Sequence, residues 1–144
     1  MRVVVVLLVS ALFLSGCTRY TVQKYSDIDE SDKSVTVPAG GQGLKGRLKT
    51  ALSNDGWKMV VYGGPTVTEG EIGKKTAVKN FDTFNTRYSL YVASEAFDTC
   101  LNLEPAISYD LSLVDNKTGS EVITVAGEGC EGEVVKRFKQ ALTN

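Results

Sequence analysis

Two hydrophobic periodicities alternate along this chain. Val35, Thr36 and Val37 form a short β-type run halted by Pro38 and Gly40. From Gly43 to Asp55 the apolar residues Leu44, Leu48, Ala51 and Leu52 recur at helical spacing, with Lys45, Arg47 and Lys49 between them. Gly56 follows as a helix-ending residue and Trp57 returns to the core. A strand is predicted over Lys58 to Tyr62, ended by Gly63-Gly64-Pro65. The polar stretch from 63 to 84, with Gly70, Gly73, Lys74, Lys75 and Lys79, predicts a long loop or a marginal strand pair.

Beyond it the period changes to two. Tyr88, Leu90 and Val92 alternate with Ser89 and Tyr91, and Ile107, Tyr109, Leu111 and Leu113 alternate with Ser108, Asp110 and Ser112. Each is the pattern of a strand with one buried face. Asp115-Asn116-Lys117-Thr118-Gly119 supplies turn chemistry, and Glu121 to Ala126 is the return strand. A last amphipathic helix runs from Glu131 to Leu142, with Val134, Val135, Phe138, Ala141 and Leu142 as its apolar stripe. Glu131 and Glu133 suit its amino-terminal dipole. The expected fold is α+β, a mainly antiparallel sheet with both helices on one face, in the order β-α-β-(loop)-β-β-β-α.

The first residues obey neither period. Arg2 precedes an uncharged run from Val3 to Leu14, twelve residues long, which suits a secretory signal and is too short to span a bilayer. It ends in Leu14-Ser15-Gly16-Cys17, which resembles the lipobox of bacterial lipoproteins. The resemblance implies removal of residues 1–16 and acylation of Cys17. Two or three acyl chains (palmitate-type) anchor stably, whereas one binds only marginally. Thr18 rather than an acidic residue follows the cysteine, which under the enteric-type sorting rule implies the outer membrane; the periplasmic face is the side expected for the domain. Residues 17–34 read as a lipidated cysteine and a flexible polar tether, and 35–144 as a single domain.

Composition narrows the chemistry. Without Arg2 the mature chain holds fifteen basic residues against seventeen acidic ones, which lacks the basic surplus of nucleic-acid binding. Of the three cysteines, Cys100 and Cys130 remain once Cys17 is assigned to lipid. In an oxidising compartment the pair reads as a disulfide. Closing that loop contributes about 3–4 kcal/mol on the chain-entropy model. The chain contains no histidine, so neither a zinc site nor a histidine-activated nucleophile is expected. Gly41-Gln42-Gly43-Leu44-Lys45-Gly46 matches a dinucleotide-binding pattern, but the following strand ends in Val61-Tyr62-Gly63 without the acid that binds ribose. Glu128, Glu131 and Glu133 sit among Gly127, Gly129 and Gly132, the pattern of a solvated turn. No catalytic residue, metal or cofactor is assigned, and the chain reads as a non-enzyme.

Asp55-Gly56-Trp57 leading into a valine-rich strand, and a hairpin with Val114-Asp115 and Thr118-Gly119, are similar to a group of envelope domains. The group includes the curli-secretion lipoprotein, lipoprotein activators of peptidoglycan synthases and the amino-terminal domain of the Tol propeller protein. The resemblance covers 35–62 and 86–142, not 63–84. It implies an accessory or adaptor subunit of an envelope assembly, held by its lipid and docked on a protein partner. The docking face would be the open side of the sheet, with Tyr91, Ser89, Ser108, Asp110 and Ser112, because exposed aromatic residues are enriched where proteins meet. The alternative is a small-ligand or glycan-binding lipoprotein that uses the 63–84 loop. The cysteine pairing has a direct check: alkylating the denatured, unreduced protein should label neither Cys100 nor Cys130, and reduction should expose both.

Overall fold

The computed structural model describes residues 19–62, 66–70, 76–80 and 85–143. Cys17 and the segment before it lie outside the described residues. Strand β1 spans Tyr20–Lys24, β2 Ser34–Pro38 and β3 Lys58–Tyr62, with helix α1 at Gly43–Asn54 between the last two. β4 (Thr66–Gly70) and β5 (Thr76–Asn80) precede the long strands β6 (Tyr88–Thr99), β7 (Pro105–Asp115) and β8 (Ser120–Cys130), and helix α2 closes the chain at Glu131–Thr143. The main sheet has the order β1-β8-β7-β6-β2-β3. Its β1–β8, β8–β7 and β7–β6 pairings are antiparallel, whereas β6–β2 and β2–β3 are parallel. The fold is α+β with two helices, as expected, on a sheet that is mixed.

Burial follows the alternation. Ile107, Tyr109, Leu111 and Leu113 of β7 are buried, as are Tyr88 and Leu90 of β6 and Ile123 and Val125 of β8. A register irregularity opposite Leu113 and Val114 admits Val122 to the core as an additional buried residue. Helix α1 supplies Leu44, Leu48, Ala51 and Leu52, and α2 supplies Val134, Phe138, Ala141 and Leu142. The two helices pack on each other and on this one face. Trp57 meets Tyr88 edge to face, with ring centroids 5.6 Å apart.

Two expectations change, and for residues 63–84 one of the two alternatives is found. Residues 20–34 are not a free tether: Tyr20 to Lys24 add as an edge strand along β8, Ile28 packs against the core, and the Asp29 amide donates to the Tyr88 hydroxyl at 2.8 Å. Backbone pairing secures β1 although its side chains stay exposed, so no burial pattern announces it. The stretch from 63 to 84 contains a strand pair, β4 against β5, as a separate two-stranded antiparallel sheet. Strand β6 runs seven residues past Val92, to Thr99, and that extension is exposed on both faces.

Gly127 decides whether β1 can dock. Its φ is +146°, and a Cβ there would lie 2.3 Å from the Arg19 carbonyl oxygen and 2.6 Å from the Tyr20 Cα. That overlap is with backbone and cannot be relieved by a rotamer change. Gly127→Ala should therefore peel β1 from β8 while the core stays folded. Hydrogen exchange will read this as faster exchange over residues 20–24 with the β7 amides unchanged.

Candidate functional site

The face of the sheet away from the helices is built by the outward half of each alternation. Cross-strand register sets Tyr91 of β6 opposite Ser112 of β7, and Ser112 opposite Thr124 of β8, which pairs with Gln23 of β1. One step along, Asp110 lies between Ala93 and Ala126; the next row holds Glu95, Ser108 and Glu128. Ser89 stands opposite Val114. The sequence-predicted residues Tyr91, Ser89, Ser108, Asp110 and Ser112 thus share one surface. Tyr91 is 61% exposed and dominates it.

Small hydrogen bonds fix the polar side chains. The Ser112 hydroxyl donates to Glu121 Oε1 at 2.7 Å, and the Ser89 hydroxyl donates to Asn116 Oδ1 at 2.9 Å. Asp110 has only alanines beside it in the register, so its carboxylate stands clear of neighbours on the flanking strands. Towards the chain start of β1 the face sinks into a shallow depression of about 550 Å³, lined by Arg19, Ala93, Glu95, Ser108, Asp110 and Glu128 among others. Three acidic residues and one arginine therefore line the same hollow. Sequence reasoning stopped β6 at Val92 and so missed Ala93 and Glu95, although both continue the phase of Tyr91. Arg19 had no local signal, because only the β1–β8 pairing brings it there; its carbonyl accepts from the Glu128 amide at 2.9 Å.

Two ion clusters hold the ends of the sheet. At one end Arg87 bonds Asp115 at 2.7 Å and Asp29 at 3.3 Å, and its guanidinium lies 5.5 Å from the Tyr88 ring centroid. Burial by itself pushes the Asp115 carboxyl up, but Arg87 and the amides of Lys117 and Thr118 outweigh it and hold the group below its ordinary value. Bonds from the Ser31 hydroxyl and amide lower Asp29 in the same way. At the other end Arg47 of α1 joins Glu104 at 2.6 Å and Glu131 at 3.1 Å. Glu131 is buried at the start of α2, which corrects its reading as a solvated turn residue. Arg47, then Asn102, then the Gly132 amide hold Glu104 below its ordinary value.

The disulfide between Cys100 and Cys130 is present, with Cα atoms 6.0 Å apart. It ties the β6–β7 turn to the β8–α2 junction across the first residues of β7. The glycine-rich segment has a packing role. A Cβ on Gly46 would lie 2.1 Å from the Gly41 carbonyl oxygen, so Gly46 lets the loop before α1 close on the helix.

No protein-family model matches this chain, and no curated protein matches it. Among solved structures, the PelC dodecamer of Paraburkholderia phytofirmans is 15% identical with a TM-score of 0.52, and the match covers 87% of this chain and 96% of that one. A second PelC dodecamer structure from the same organism is also 15% identical, with a TM-score of 0.48 and coverage of 87% and 95%. A PDZ domain protein of Parabacteroides distasonis is 5% identical with a TM-score of 0.43, and the match covers 85% of this chain and 34% of that chain.

Asp115 supports a pH prediction. A carboxyl held low in the folded state stabilises the fold fully above its unfolded value, near 4, and that contribution disappears as pH falls through the lower folded value. Asp115→Asn should cost about 1–3 kcal/mol at neutral pH, the scale of a charge-assisted hydrogen bond. It should also flatten the fall of the urea midpoint below about pH 4. A variant whose acid limb matches the wild type would place the acid sensitivity elsewhere. The likeness to the PelC structure is one of fold alone.

Proposed function

We propose that this protein is a non-enzymatic accessory lipoprotein of a bacterial envelope assembly, lipid-anchored at Cys17 on the periplasmic side of the outer membrane. In this reading the open sheet face docks on a larger envelope protein. The observation that carries it is the placement of Tyr91 at the centre of a rigid, helix-free sheet surface, ringed by serines whose hydrogen bonds are already made. An aromatic side chain on a preorganised strand loses little conformational freedom when a partner covers it. Fold likeness to PelC supports an envelope setting. Because that protein is a dodecamer, copies of this chain count among the partners to be looked for.

Crosslinking in intact cells, followed by affinity purification and mass spectrometry, tests the reading. One partner should be recovered in stoichiometric amount, and Tyr91→Ala should reduce its recovery at least tenfold. The substitution is on an exposed surface, so the unfolding free energy should stay within about ±0.5 kcal/mol of the wild type. Recovery that survives Tyr91→Ala but disappears on deletion of residues 66–80 would transfer the activity to the β4–β5 hairpin and favour ligand or glycan binding.

A further inference from the structure

The β6–β7 turn carries apolar side chains where a soluble surface has no use for them. Leu101 is fully exposed, Leu103 is 86% exposed, and Phe97 just before them is 58% exposed. Leu103 also adopts a φ of 65°, the left-handed region in which glycine or asparagine is far cheaper than leucine. A tight turn imposes that backbone: the Leu103 amide donates to the Cys100 carbonyl, and the Cys100 amide to the Glu104 carbonyl. The turn is braced by the disulfide to Cys130 and by Glu104, which Arg47, Asn102 and the Gly132 amide all engage. Solvation and backbone preference are both sacrificed at one rigid point, and such sacrifice concentrates at functional positions.

The chain's own anchor indicates what covers that point. Tyr20, the first residue of β1, pairs with Gly127, three residues before Cys130. The start of β1 therefore lies at the same end of the sheet as the apolar turn. Only Thr18 and Arg19 separate Tyr20 from Cys17, a reach of about 10 Å fully extended. A lipid on Cys17 consequently brings this end of the sheet, and no other, against the bilayer. The opposite end, with the β7–β8 turn at residues 116–119, is displaced by the eleven residues of β7, about 36 Å at strand rise. The segment from Ser94 to Pro105 contains no lysine or arginine, so attraction to anionic headgroups has no source in it.

We infer that Leu101 and Leu103, with Phe97 beside them, insert into the phospholipid bilayer at the interfacial depth, as a second membrane contact beside the lipid. The turn is a rigid foot that sets the domain upright and presents the open sheet face sideways, parallel to the membrane normal. This inference rests on acylation of Cys17, and the experiment separates the two. Full-length lipidated protein carrying Leu101→Trp is reconstituted in phosphatidylcholine–phosphatidylethanolamine vesicles, with and without bromine on the acyl chains. The wild-type signal from buried Trp57 is subtracted, and Lys117→Trp at the far turn is the control.

The inserted foot predicts a blue-shifted emission for Leu101→Trp, at least twofold quenching by brominated lipid, and little change between low and high salt. Lys117→Trp should stay unquenched. Quenching equal to that of the control, in protein whose amino-terminal peptide is acylated by mass spectrometry, overturns the foot and leaves the lipoprotein reading standing. An unmodified Cys17 overturns both. A blue shift without bromine quenching means that a second copy covers the turn, which also overturns lipid insertion. Leu101→Asn combined with Leu103→Asn guards against a tryptophan artefact. Asparagine accepts the left-handed backbone, so folding is retained, and protection of residues 97–104 from hydrogen exchange on vesicles should be lost.

Discussion

Every arrangement in this domain depends on one asymmetry: β7, the centre of the long antiparallel strands, is apolar on one face and polar on the other. Ile107, Tyr109, Leu111 and Leu113 need cover, and two amphipathic helices supply it. Ser108, Asp110 and Ser112 do not, so the second face stays open to water. Because side chains alternate strictly along a strand, no register places both sets inside. The helices are therefore confined to one face, and the other is the surface to which the proposed function assigns a partner.

The ends of the sheet are secured by different chemistry. Arg87 gathers Asp29 and Asp115 at the β7–β8 turn and draws the chain before β2 onto the core. At the opposite end the disulfide, Arg47 and Glu104 stiffen the β6–β7 turn and the start of α2 together. Both clusters join segments far apart in sequence. Rigidity matters to the proposed function, because a docking face and a membrane-proximal turn would act only if their mutual orientation were held. The extension of β6 past Val92 gains little from burial, and its pairing with β7 and the disulfide are what keep it extended.

The β1 strand alters the mechanical picture. A free segment of seventeen residues would let the domain wander some 20–25 Å from the proposed anchor as a coil. With Tyr20 already in the sheet, the proposed lipid on Cys17 would be separated from the folded domain by Thr18 and Arg19 alone. The exposed side chains of Tyr20 and Val22 on this edge strand lie on the helix side of the sheet, where Arg137 stacks over the Tyr20 ring at 4.0 Å.

Sequence alone was sufficient wherever a residue's environment follows from its near neighbours. The stripe of α1, the stripe of α2, the alternation in β7 and the turn at residues 115–119 are local patterns, and each reappears in the structure. Tyr91, Ser89, Asp110 and Ser112 could be placed on one face for the same reason, since a period of two leaves no choice of side. The cysteine pair was legible by elimination. Tertiary structure alone decided the rest. β1 has no buried face, so nothing in Tyr20–Lys24 identifies β8 as its partner; that pairing is made by backbone groups and permitted by Gly127, a hundred residues away. The parallel insertion of β2 between β6 and β3, the burial of Glu131 against Arg47 and the joining of Arg19 to the acidic hollow are likewise long-range. Local pattern reports which side of an element is apolar, whereas the choice of neighbour is settled by packing and hydrogen bonding across the whole sheet.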